Sequence, residues 1–230
     1  MVDAISEEEQ ELSPKFENRE HFITIGNFLH EPNVQMVNYL KKTIWPLIRT
    51  ALPKAELHVY GAYESKKISD LNNAKDGFFV KGFVDDVNQV MKAAKVCLAP
   101  LQFGAGLKGK LIDAMKNGTP CGMSTIAAEG LFDKAISGFI EDDPILFAEK
   151  AVELYSKEAL WKFGKHYGFS CVNKRFKKSK FQEKFLLKIE EHISDLQVNR
   201  LNNFTGQMLQ YNNLQSTKYM SKWIEEKNAN

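Results

Sequence analysis

Lys108 and Lys110 stand just behind a glycine turn, and Asp113 follows one helical turn later, in the stretch PLQFGAGLKGKLIDAMKNGTP from Pro100 to Pro120. Gly104 and Gly106 permit a tight turn and let a ligand approach the backbone closely. The turn opens a helix, whose unpaired N–H groups and positive dipole end favour an anion. Each lysine adds a point charge; at ~4 Å and an effective dielectric of about 20, one charge pair is worth about 4 kcal/mol before desolvation. Asp113 lies on the same helix face as Gly109, where a carboxylate can accept hydrogen bonds from ribose hydroxyls, as acidic residues do in dinucleotide folds. The chemistry this describes is the holding of a nucleotide phosphate. The same residues also fit a plain strand-to-helix turn with solvated lysines, so the stretch alone leaves both readings open. It is neither GxGxxG nor GxxxxGK[ST], which argues against an NAD enzyme and a P-loop NTPase.

The elements that must position these residues follow from hydrophobic periodicity. HFITIGNF, AELHVYG, FFVKGF, VCLAP, PCGMST and SGFIE are short apolar runs that read as strands. Helical patterns lie between them: NVQMVNYLKKTIWPLIRTAL, SKKISDLNNAKDG, DVNQVMKAAK, GLKGKLIDAMKNG and DPILFAEKAVELYSK. Asn33 is the expected N-cap of the first, and Pro46 inside it predicts a kink or two shorter helices. Strand–helix alternation means βαβ units, hence an α/β fold with a single Rossmann-like, doubly wound parallel sheet. The expected organisation is an acidic, disordered or linker-like lead over residues 1–20, the Rossmann-like domain over 21–170, and an appended C-terminal helical tail over 171–230. Ligands in such sheets bind at the C-terminal strand ends, here after Gly26, Gly61, Gly82, Pro100 and Thr125.

Composition narrows the classes. A net charge of +2 over 230 residues gives no basic footprint for nucleic acid. Cys97, Cys121 and Cys171 are widely spaced and read as buried thiols in a reducing compartment. The histidines show no metal-ligand spacing. The acidic N-terminus is unlike a signal peptide, so a cytoplasmic location is expected. Seven basic residues between Lys174 and Lys188 favour a solvated helix face over a membrane-surface patch.

The segment APLQFGAGLKGKLIDAMKNGTPCGMSTIAAEGL resembles the donor-binding segment of retaining GT-B glycosyltransferases, family-4-like members of glycosyl transferases group 1, with their pattern PLrfGaGvKgKvleAmaaGtPvV.T.ia.EGl. FITIGNFLHEPNVQMVNYL resembles that group's first strand, and AELHVYG and VKGFVDDVNQVMKAAKVCLAP its next strands. The resemblance runs from about Arg19 to the helix near Tyr155. It implies that Gly26 and Asn27 face the donor, that Phe83 and Val84 line the nucleobase pocket, and that Gly104, Ala105, Gly106, Leu107, Lys108 and Lys110 hold the diphosphate. Asp113 stands where the family has a ribose-binding Glu. Glu129 and Gly130 match the family's EG pair, and Ala105 takes the place of the Glu in the commoner E-G-F-G signature. No catalytic group is assigned; Lys108, Lys110 and Glu129 are the candidates.

The activity implied is glycosyl transfer from a nucleotide-diphospho sugar with retention, and the departing diphosphate is what needs stabilising. Helix dipole and lysines suffice for that, so no bound metal and no tightly held cofactor are expected. Asp85–Asp86 and Asp142–Asp143 read as a helix cap and a polar turn. The resemblance covers only the donor-binding half of such an enzyme, with residues 1–20 as interdomain linker and a separate N-terminal domain or dimer partner implied. Two other readings stay open: a non-catalytic nucleotide-sugar-binding module, and a Rossmann domain used only for interaction.

Overall fold

The computed structural model of the chain describes residues 2–132 and 135–228. The chain divides into two compact units, Met1–Lys178 and Ser179–Asn230. In the first, the strands are β1 (Phe22–Ile25), β2 (Leu57–Tyr60), β3 (Phe78–Gly82), β4 (Val96–Ala99), β5 (Cys121–Met123) and β6 (Gly138–Ile140). They form one sheet in the order β3-β2-β1-β4-β5-β6, and every neighbouring pair is parallel. This is the doubly wound order, and all six strands match the apolar runs of the sequence. β4 and β5 are buried along their whole length, as parallel strands covered on both faces must be.

The helices of this unit are α1 (Glu7–Leu12), α2 (Glu31–Tyr39), α3 (Trp45–Ala51), α4 (Lys66–Ser69), α5 (Val87–Ala93), α6 (Gly109–Lys116), α7 (Thr125–Ala128), α8 (Pro144–Ser156) and α9 (Glu158–Cys171). Phe22 meets Trp45 of α3 edge-on at 5.9 Å and stacks on Tyr155 of α8 at 4.4 Å, which fixes those helices on one face. A π-turn, Leu40–Ile44, joins α2 to α3, with Pro46 in the first turn beyond it. The widened turn resolves the expected kink, because Pro46 has no N–H to give and its ring crowds the preceding turn. Asp86 caps α5 and Asp143 caps α8 through their side chains.

The segment expected as a disordered lead is folded. Ser6 and Glu9 form a capping box at α1, with Ser6 Oγ accepting from the Glu9 N–H at 3.1 Å. Val2 donates to the Phe176 carbonyl at 2.9 Å, and Asn173 exchanges two hydrogen bonds with the backbone of Ile5. The acidic run therefore supplies a helix start rather than a solvated linker. Arg19 is the anchor. It is 1% exposed and donates to the carbonyls of Pro14, Met91, Ala94 and Asn117 and to the hydroxyls of Ser13 and Thr119. Burial pulls its pKa down to about 10. The first unit also extends past the expected limit at 170, through the unforeseen helix α9 with its buried Trp161, to Lys178.

The second unit holds α10 (Ser179–Ser194), α11 (Leu196–Asn202) and α12 (Phe204–Asn228). None of its described residues is buried. No helix among the described residues is long and apolar enough to cross a membrane.

His21 stacks on His58 with ring centroids 3.8 Å apart, and His21 Nε2 and His58 Nδ1 lack hydrogen-bond partners. Burial, with His58 alongside, pushes His21 from 6.5 down to about 4. The unfolded chain thus binds more protons than the folded one between those values. Stability is expected to fall as pH drops from about 6.5 towards 4, and His21→Phe should show a shallower fall in urea midpoints over that range.

Candidate functional site

The strand order reverses between β1 and β4, so the loops that follow them run to opposite sides of the sheet and leave a crevice at their C-terminal ends. A cavity of about 330 Å³ lies there. Its lining comes from Ile25, Gly26 and Asn27 at the end of β1, Asn33 on α2, Gly61 and Ala62 after β2, Phe83, Val84 and Val87 after β3, and Lys110 and Asp113 on α6. A larger groove of about 600 Å³ beside Leu47, Ile145 and Leu146 has no such convergence of polar groups, and its Lys150 is already paired with Glu141 at 2.6 Å.

Close backbone approach shapes the crevice. A Cβ at Gly61 would overlap the Gly26 carbonyl oxygen and the Phe28 ring, and a Cβ at Gly26 would lie 2.6 Å from Asn33 Cγ. The register of β2 and β3 shifts between Val59 and Tyr60, and Gly61 donates to the Gly82 carbonyl at 2.8 Å. Gly82 has φ +70°, which turns the chain so that Phe83 and Val84 reach the cavity.

Lys110 is the polar centre. Its Nζ donates to Asn33 Oδ1 at 2.6 Å and lies 3.7 Å from Met36 Sδ. Asn33 in turn donates to the Asn27 carbonyl at 2.8 Å. Asn33 is therefore not the N-cap of α2, a place that His30 holds; it sits inside the first turns and bridges β1 to α6. Desolvation, with Lys108 nearby, lowers Lys110 to about 8. The half-buried Asp113 carboxyl has no hydrogen-bond partner among the described residues, and burial raises its pKa.

The remaining predicted site residues lie on exposed loops outside the cavity lining. Lys108 precedes α6 and folds back on its own loop, donating to the Gly106 carbonyl at 2.5 Å. Gly104 and Gly106 have φ +141° and +71°, values open to glycine, and a Cβ at Gly104 would come within 3.8 Å of Pro32 on α2. The loop of Gly104, Ala105, Gly106 and Leu107 thus reaches the start of α2. Glu129 and Gly130 are exposed at the end of α7, and a Cβ at Gly130 would lie 3.3 Å from Leu107 Cδ2. Ser124 ties these two loops together by donating to the Leu101 carbonyl at 2.6 Å while capping α7. Sequence reasoning missed the lining roles of Ile25, Asn33 and Val87; it placed the loop after Gly61 at the ligand-binding edge without naming Gly61 and Ala62 as site residues.

Among the described residues, no group of three or more His, Cys, Asp or Glu side chains is placed to hold a metal ion.

The family model for glycosyl transferases group 1 matches residues 19–157, more than half of the chain. No curated protein matches the chain by sequence. Among solved structures, the chain is similar to the pneumococcal O-GlcNAc transferase GtfA in complex with UDP and GlcNAc, at 18% identity and TM-score 0.64, over 84% of this chain and 38% of that one. It is similar to S. aureus TarM with fondaparinux, α-GlcNAc-glycerol and UDP, at 16% identity and TM-score 0.61, over 73% and 35%. It is also similar to Anabaena HepE with UDP and glucose, at 13% identity and TM-score 0.58, over 81% and 51%. The chain spans about a third to a half of the length of these proteins, and the likeness shows the fold: an α/β, Rossmann-like GT-B half.

The crevice depends on Gly61 having no side chain. Gly61→Ala is expected to cost about 1–3 kcal/mol through overpacking, read as a lower denaturant midpoint, because the obstructing atoms include backbone.

Proposed function

Since the chain belongs to the glycosyl transferases group 1 family, we propose that its crevice binds the nucleoside diphosphate of a nucleotide-sugar donor for retaining glycosyl transfer. One observation carries this reading: a half-buried lysine, an unpartnered carboxyl and an apolar wall share one cavity. Phe83, Val84 and Val87 suit a flat base. Asp113 is free to accept from ribose hydroxyls. Lys110, Lys108 and the first-turn N–H groups of α6 suit the diphosphate.

The chemistry follows from where charge develops. As the bond from the anomeric carbon to the diphosphate oxygen breaks, negative charge grows on the diphosphate. Lys110 is already desolvated and fixed by Asn33, so it meets that charge with little reorganisation. Lys108 must leave the Gly106 carbonyl to do the same. Glu129 and Gly130, on the loop beside Leu107, are proposed to approach the donor sugar. The acceptor wall of the cleft is assigned to a second domain, or to a partner of the kind that the GtfA/B complex represents for its own components.

Calorimetric titration with UDP and GDP tests the reading: binding of one or both is expected, and no binding at millimolar ligand would sink it. Lys108→Ala should weaken the diphosphate roughly tenfold, the worth of one charge-assisted hydrogen bond, and the nucleoside little. Equal loss for both would show that Lys108 is not at the phosphates.

The pH dependence has a definite sign. Lys110 is charged below about 8 and neutral above it. Diphosphate affinity should therefore fall as pH rises past that value, and Lys110→Met should bind more weakly with a flatter profile.

A further inference from the structure

We infer that Tyr63 closes the base end of the cavity, its ring lying against the nucleobase of the bound nucleoside diphosphate; this rests on the donor-site reading above. Tyr63 has φ +60° and is the one residue other than glycine with positive φ among the described residues. A bulky side chain in that region is a true outlier, whereas glycine adopts it freely.

The neighbouring backbone imposes the conformation. Before Tyr63, Gly61 donates to the Gly82 carbonyl at 2.8 Å and the Ala62 carbonyl accepts from Phe28 at 3.1 Å. After it, the Ser65 carbonyl accepts from the Ile68 N–H at 2.9 Å and the Ser69 N–H at 3.0 Å. Both flanks are pinned, so the left-handed turn is over-determined and a glycine would fill it without strain.

The tyrosine makes few contacts in the free protein. Tyr63 is 66% exposed, and among the described residues its hydroxyl has no hydrogen-bond partner and its ring no aromatic or cationic partner. A strained, unpacked aromatic is what a ligand-facing position would retain.

Its place in the fold names the ligand part. Gly61 and Ala62, directly before it, line the cavity together with Phe83, itself 68% exposed. Lys110 and Asp113 stand at the α6 end, after β4, while Tyr63 and Phe83 follow β2 and β3 on the far side of β1. From β4 to β2 is two strand spacings, about 10 Å, and to β3 three, about 14 Å, which suits a nucleoside diphosphate laid across the strand ends with its base between Tyr63 and Phe83. Stacking on an aromatic ring holds any base, because every base has a π face.

The test uses the full chain and its Tyr63→Gly and Tyr63→Phe variants, titrated with UDP, GDP, uridine, guanosine and pyrophosphate. Tyr63→Gly should lose about tenfold in affinity for the preferred nucleotide and its nucleoside, keep its pyrophosphate affinity, and melt no lower than the wild type. Tyr63→Phe should bind as the wild type does. Unchanged nucleotide affinity in Tyr63→Gly, or equal loss of pyrophosphate, overturns the assignment while leaving the donor site standing. A wild-type chain that binds pyrophosphate but no nucleotide or nucleoside overturns both.

Discussion

A parallel sheet of strands three to five residues long cannot leave either face to water, and this constraint governs the first unit. Helices must cover both sides, and right-handed crossovers send the chain outward from the middle in two directions. The reversal falls between β1 and β4, where no helix can pass directly over the strand ends. The crevice is therefore a consequence of winding. Gly26 and Gly61 hold it open, because only glycine lets the backbones at the β1 and β2 ends approach so closely.

Two cations inside this unit are desolvated in different surroundings. Arg19 is surrounded by carbonyl and hydroxyl acceptors, so its charge is fully hydrogen-bonded without a carboxylate. It locks the N-terminal segment to α5 and to the α6–β5 connection. Lys110 has one amide oxygen and a thioether sulfur, and its pKa is lowered to about 8. A desolvated ammonium with so few acceptors binds an anion more strongly than a solvated one does. The same physical effect, desolvation, acts on a fully hydrogen-bonded cation at Arg19 and on a sparsely bonded one at Lys110, the residue proposed above to meet the diphosphate.

Much of the fold was legible in sequence because its signals are local. Short apolar runs matched all six strands, three of them closed by Gly26, Gly61 and Pro100, and Asp86 marked a helix start. The N-terminal segment was misread because a run of glutamates looks solvated until a capping box and a buried arginine hold it. The lining of the candidate cavity was legible in part. Gly26, Asn27, Phe83, Val84, Lys110 and Asp113 do share a cavity. Lys108, Glu129 and the Gly104–Leu107 loop instead stand on exposed loops beside it. Asn33 looked like a cap because its type suits one, and its contact with a lysine 77 positions away leaves no trace in local pattern.

By itself the sequence determined the alternation of strand and helix, the positive turn before Lys108 and the family, since periodicity, glycine placement and spaced motifs are properties of neighbouring residues. Only the tertiary structure decided which strand ends meet, which lysine is desolvated, and where a strained tyrosine stands relative to a cavity. Those depend on sheet order and burial, which arise when distant segments exclude water from one another.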